Sequence, residues 1–190
     1  EPLLDPHDVK GGAIYAEYRT DDARLTIEIM KTAVKEGARV ANYCEVKDFI
    51  YDNGIIAGVK LVDHISINQF EIKAKVVVNA AGPWVDTLRD INKSKQGKRL
   101  HLTKGVHLVV SHDKFPVKQA IYFDVEDGRM IFAIPRGRTT YIGTTDTGYN
   151  DNLDEVYTSK EDAEYLIKAV NRTFPTVNLS LEDIESSWAG

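Results

Sequence analysis

The chain has 190 residues, 43% of them hydrophobic and 28% charged, with a formal net charge of -5 and one cysteine. That length can bury a real core. The balance excludes a strongly basic nucleic-acid binder, and a single thiol excludes an internal disulfide framework or a zinc ribbon. No apolar run approaches the roughly 20 residues a membrane helix needs. Cys44, in the strand-like RVANYCEV, reads as an inert buried thiol.

Taken in chain order, DDARLTIEIMKTAVKEGA predicts the first helix. Asp21 or Asp22 caps it, Leu25, Ile29, Met30, Ala33 and Val34 share a face, and Gly37 is the expected residue just past its end. Two strand-like runs follow, separated by Asp52-Asn53-Gly54, a strong hairpin signal. QFEIKAKVVVNAAG then alternates at first and becomes continuously apolar, which predicts a strand covered on both faces. It ends abruptly at Ala80-Ala81-Gly82-Pro83-Trp84. Proline suits the first turn of a short helix, PWVDTLRDI.

Residues 92–99, NKSKQGKR, read as a polar linker and a boundary. Beyond it LHLTKGVHLVVS, QAIYFDV, RMIFAIPR and TTYIGTTD predict an antiparallel sheet. Thr158 or Ser159 caps a second long helix that Pro175 ends. The fold class is mixed α/β, with a nucleotide-type segment and a second sheet domain.

The chemistry-bearing candidates are modest one by one. The NAAGPW turn lets ligand approach bare backbone, or simply ends a strand. His107 falls on the strand face opposite Val106 and Leu108, with a ring of near-neutral pKa suited to base work. Lys104 falls on the other face unless Gly105 breaks the pleat. Arg136, in IPRGR, is a candidate for meeting a phosphate, and Thr144 and Thr145, in IGTTD, for donating to an oxyanion or capping a turn. There is no G-x-G-x-x-G and no Walker loop.

In order along the chain, GGAIYAEYRTDDARL, VVVNAAGPWVD, LTKGVHLVV, GRMIFAIPR, YIGTTDT and DIESSWAG resemble the FAD-dependent glycerol-3-phosphate dehydrogenase and oxidase family. The resemblance implies a flavoenzyme that oxidises sn-glycerol 3-phosphate to dihydroxyacetone phosphate, hydride passing from C2 to the flavin. Electrons go on to quinone in the dehydrogenases, or to oxygen with peroxide formation in the oxidases. A related amine or hydroxy-acid oxidoreductase is the remaining alternative. By resemblance, residues 19–92 are part of an FAD-binding domain, and residues 1–18 with 97–190 form a substrate-binding sheet domain.

His107 matches the family's active-site histidine. Lys104, Thr144, Thr145 and Arg136 fall on the substrate side. Val46, Ala80, Ala81, Gly82 and Trp84 fall beside FAD, and no metal is implied. The family's N-terminal phosphate-binding glycines and the arginine after SWAG have no counterpart here. The expectation is an internal piece of a longer protein, inactive and without bound FAD when isolated. The resemblance also implies a cytoplasmic location, with peripheral attachment to the inner face of the membrane left open.

Overall fold

The computed structural model describes residues 1–7 and 9–190. They form two compact units, Ala13–Leu100 and Glu1–Gly12 with His101–Gly190. The division at residue 100 falls at the end of the basic linker.

In the unit Ala13–Leu100, helix α1 spans Asp22–Lys35. The Asp21 carboxylate is the cap, accepting from the Arg24 backbone N–H at 3.1 Å, and Gly37 takes the left-handed conformation just beyond the last turn (φ 94°). Its predicted apolar face forms, but no residue of α1 is buried. Strands β1 (Cys44–Asp52) and β2 (Ile55–Asp63) make the expected hairpin. Asn53 and Gly54 both have positive φ, 49° and 81°, as the tight two-residue turn requires. Strand β3 (Gln69–Lys73) adds to β2, giving an antiparallel sheet in the order β1-β2-β3. Phe49, Gly58 and Leu61 are its buried residues.

The expected doubly covered strand over KVVVNAA is not found. Residues 75–81 carry no strand pairing, and Val76 and Val78 are exposed. Their apolar run suits a sheet interior, but among the described residues no strand lies beside them to complete a ladder. The turn at Gly82–Trp84 is a 3-10 helix leading into α2 (Val85–Ile91), so proline does open this helix as predicted.

The second unit is built on five antiparallel strands. A short ladder joins β4 (Thr103–Lys104) to β9 (Thr147–Gly148). The main sheet holds β5 (Val106–Ser111), β6 (Ile121–Asp124), β7 (Met130–Arg136), β8 (Thr139–Gly143) and β10 (Ile184–Ala189), in the order β10-β5-β8-β7-β6. Helix α3 (Lys160–Thr173) covers one face.

Strand alternation sends Val106, Leu108, Val110, Ile131, Ala133 and Ile142 to that face, where Leu166, Ile167 and Val170 meet them. Phe174 packs edge-on against Phe115 and Phe123, at 4.9 and 5.2 Å between centroids. Each such side chain stabilises the unit by about 1.5–3 kcal/mol. Ser159, the second of the two predicted caps, makes a reciprocal capping box with Asp162.

Candidate active site

The period-2 rule that places Val106, Leu108 and Val110 under α3 places His107 on the opposite face of β5. The sheet register then selects its neighbours. His107 stands beside Trp188 of β10 and Gly143 of β8, Gly143 stands beside Phe132 of β7, and Phe132 beside Tyr122 of β6. One row across five strands is therefore Trp188, His107, Gly143, Phe132 and Tyr122, four rings with a gap of bare backbone at the centre.

The rings are in contact. Trp188 stacks on the imidazole with centroids 4.7 Å apart and planes 5° from parallel. Phe132 leans on the imidazole at 5.3 Å and on Tyr122 at 5.7 Å. Tyr141, one row along, meets Trp188 edge-on at 5.2 Å. A Cβ at Gly143 would lie 2.6 Å from His107 Cδ2 and 3.0 Å from Nε2. Only glycine leaves room for this ring position. Trp188 is 43% exposed and Tyr122 47%, so the row is an open aromatic shelf rather than a core.

His107 Nδ1 is buried without a hydrogen-bond partner, and among the described residues no carboxylate pairs with the ring. Desolvation disfavours the imidazolium and pushes the His107 pKa below its usual value. The ring is therefore neutral at pH 7, with lone-pair capacity to accept a proton.

The other candidates are placed differently. Lys104 lies on the helix side, as unbroken alternation would put it. Its ammonium meets Asp162 Oδ2 at 2.5 Å and the Tyr157 carbonyl at 3.2 Å, with both charged side chains largely buried. This ion pair ties Lys104 of β4 to the first turn of α3. Burial pushes Asp162 up, but Lys104 and the Ser159 donors outweigh it and hold the carboxyl below its usual value.

Thr145 is held within the sheet domain. Its hydroxyl is buried and donates to the Lys104 carbonyl at 3.1 Å. Thr144, next to Gly143, donates to the Thr145 carbonyl at 3.1 Å and is half-buried at the end of the shelf. Arg136 shares the His107 face but lies four residues along β7 from Phe132, about 13 Å at about 3.3 Å per residue. Its guanidinium sits 5.6 Å from the Tyr141 ring centre.

In the other unit the NAAG turn is pre-shaped by Asn79, which accepts from the Ala81 N–H and donates to the Val85 carbonyl. Ala80 and Gly82 are exposed, Gly82 has φ 53°, and Trp84 is 40% exposed. Small side chains leave this backbone open to a ligand. Val46 lies on β1, an edge strand of its sheet, beside an irregularity at Lys47, so outward backbone groups are open there too.

Trp188, Phe132, Tyr122, Tyr141 and Gly143 are the site residues that sequence reasoning missed. Alternation within each strand would have paired Phe132 with Ile134, but only the cross-strand register brings these residues to His107.

Residues 1–190 match the model of the family described as FAD dependent oxidoreductase. The chain is 53% identical over 190 residues to an aerobic glycerol-3-phosphate dehydrogenase of Bacillus subtilis, and 54% identical over 192 residues to one of Staphylococcus aureus. All of the chain is covered in each case, but 34% of each relative, so it spans about a third of their length.

Among solved structures, it is similar to the glycerol-3-phosphate dehydrogenase from Bacillus halodurans complexed with FAD. The TM-score is 0.95 at 56% identity, covering 100% of this chain and 38% of that one. An L-proline dehydrogenase from P. horikoshii shares the fold, with a TM-score of 0.64 at 19% identity over 90% of this chain and 43% of that one.

Proposed function

The chain belongs to the FAD-dependent oxidoreductase family, and from that premise we propose that it is part of an enzyme that oxidises sn-glycerol 3-phosphate to dihydroxyacetone phosphate. The observation that carries the reading is the neutral His107 on an open aromatic shelf, its ring held over Gly143 and against Trp188. Oxidising a secondary alcohol removes a hydride from carbon and a proton from the hydroxyl. A neutral imidazole within reach of the hydroxyl takes the proton, and a positioned base of this kind is worth about 10²–10⁴ in rate. The flat rings and bare backbone suit a planar partner, and the Ala80-Ala81-Gly82 turn with the edge of β1 at Val46 suits an extended one. FAD, when bound, supplies the two-electron acceptor.

The remaining residues fall into supporting roles. Thr144 is assigned to holding the substrate hydroxyl at the end of the shelf. Arg136 is assigned to attracting the phosphate electrostatically, since on this face it stands next along the sheet from Tyr141, the ring that meets Trp188 edge-on. Trp84 backs the cofactor turn. The next acceptor is assigned as a quinone, in keeping with the relatives' names as dehydrogenases and not oxidases.

By the same reading residues 19–92 serve the cofactor, and residues 1–18 with 97–190 serve the substrate. None of the helices in the described residues is long and apolar enough to cross a membrane. A peripheral site on the inner face of the membrane remains part of this proposal.

The test is anaerobic addition of substrate to the full-length protein loaded with FAD. Glycerol 3-phosphate is expected to bleach the visible flavin band, and glycerol and L-proline are not. Bleaching by an amine and not by glycerol 3-phosphate would overturn the substrate assignment. Transfer of the electrons to a soluble quinone faster than to oxygen would support the dehydrogenase reading. Stoichiometric peroxide at the same rate would replace it with the oxidase.

A further inference from the structure

A histidine that works as a base is commonly oriented by a hydrogen bond from its other nitrogen to a carboxylate or carbonyl. His107 has no such support, because Nδ1 is buried and unpartnered and no carboxylate pairs with the ring among the described residues. Something else must fix the plane of a side chain with two free torsions. Two neighbours do so sterically. On the β10 side, the Trp188 indole lies parallel to the imidazole at 4.7 Å, and is itself held by the edge contact with Tyr141. On the β8 side, Gly143 leaves a slot that the imidazole fills closely enough to exclude a methyl group.

We infer that Trp188 is a positioning residue for His107, clamping the imidazole into the Gly143 slot so that one ring orientation faces the substrate. The inference rests on the reading of His107 as the proton acceptor. It also explains why the ring stays neutral. The groups against it are Trp188 from β10, Gly143 from β8 and Phe132 from β7, none of them titratable, and the Tyr141 phenol packs against Trp188. The charged groups on this face stand further along the sheet: Arg136 beyond Tyr141, and Arg138 paired with Glu185 at 2.8 Å. Stripping away the indole would both free the ring and let water reach it.

The experiment measures flavin reduction by glycerol 3-phosphate, under single-turnover conditions, in the full-length FAD-loaded protein. The variants are Trp188→Ala, Trp188→Phe, His107→Asn and Trp188→Ala with His107→Asn. Trp188→Ala is expected to slow reduction by about 10–100-fold, the scale of a small misplacement of a reacting group. Substrate affinity should stay within about threefold, the acid limb of the pH profile should move upward toward that of a free imidazole, and Trp188→Phe should restore most of the rate.

In the His107→Asn background, the added Trp188→Ala change should cost less than about twofold, because the interaction it removes is already gone. A full repeat of the Trp188→Ala cost in that background, or a Trp188→Ala rate equal to wild type, overturns the inference while leaving His107 as the base. An unchanged rate in His107→Asn alone overturns the base assignment itself, and the inference with it. Should Trp188→Ala lose its fold or its flavin, Gly143→Ala probes the other jaw of the clamp. It should give the same rate loss and the same insensitivity in the His107→Asn background, and a wild-type rate there overturns the inference.

Discussion

His107 and Lys104 are three residues apart, and the sheet sends them to opposite faces and opposite fates. The histidine is left on an open shelf, desolvated and unpaired. The lysine is closed into a contact with Asp162. Removing one partner of such a buried pair leaves an uncompensated charge, so Lys104→Met is expected to destabilise the protein by about 3–5 kcal/mol, read from denaturant midpoints. A loss below 1 kcal/mol would mean that water already solvates Asp162. The side of β5 on which His107 falls was legible from the alternation in VHLVV. The pairing of Lys104 was not, because Asp162 is 58 residues away and only the docking of α3 brings it near. Trp188 was hidden for the same reason: its proximity to His107 is a fact of register, which no local pattern encodes.

At the scale of elements, caps and turns were the most readable features. The Asp21 cap, the Asn53-Gly54 turn and Gly37 past the end of α1 all follow from local chemistry. The capping box on α3 is worth about 1 kcal/mol, and Ser159→Ala should lower stability by that amount in thermal melts. The same helix start carries a pH dependence. Asp162 is depressed below its ordinary value of 3.8, so its contribution is fully present above that value and is lost as the pH falls through the lower, folded value.

Asp183 behaves alike. Lys114 and the Ser180 donors hold it at about 2, anchoring the turn before β10, the strand that carries Trp188. Acid titration is therefore expected to loosen β10 between about pH 4 and 2, and the start of α3 below its Asp162 reference value of 3.8, seen as rising Trp fluorescence change in wild type and a smaller change in Asp183→Asn. A profile unaffected by that substitution would remove Asp183 from the account. The misread element, residues 75–81, shows the limit of local reading. Its apolar run describes a buried strand, but strand structure needs neighbours, and among the described residues none pairs with it.

At the scale of the whole molecule, the two units differ in how much they bury. The five-stranded sheet and α3 enclose a contiguous core, whereas no residue of α1 is buried and the three-stranded sheet buries Phe49, Leu61 and little else. Hydrogen exchange on the 190-residue chain should show slow amides in β5, β7 and β8 and fast amides throughout α1, with α1 becoming protected in the full-length protein. Equal protection of α1 in both would show that its apolar face needs no cover.

The family was legible from six ordered motifs spread between Gly11 and Gly190, while the geometry behind the proposal that His107 is the base required the folded sheet. The most direct test of that geometry is the rate of flavin reduction by glycerol 3-phosphate in the full-length, FAD-loaded His107→Asn variant. A loss of about 10²–10⁴ in rate, with FAD content and substrate affinity retained, is the predicted result. A rate equal to that of the wild type would contradict the assignment of His107 as the proton acceptor.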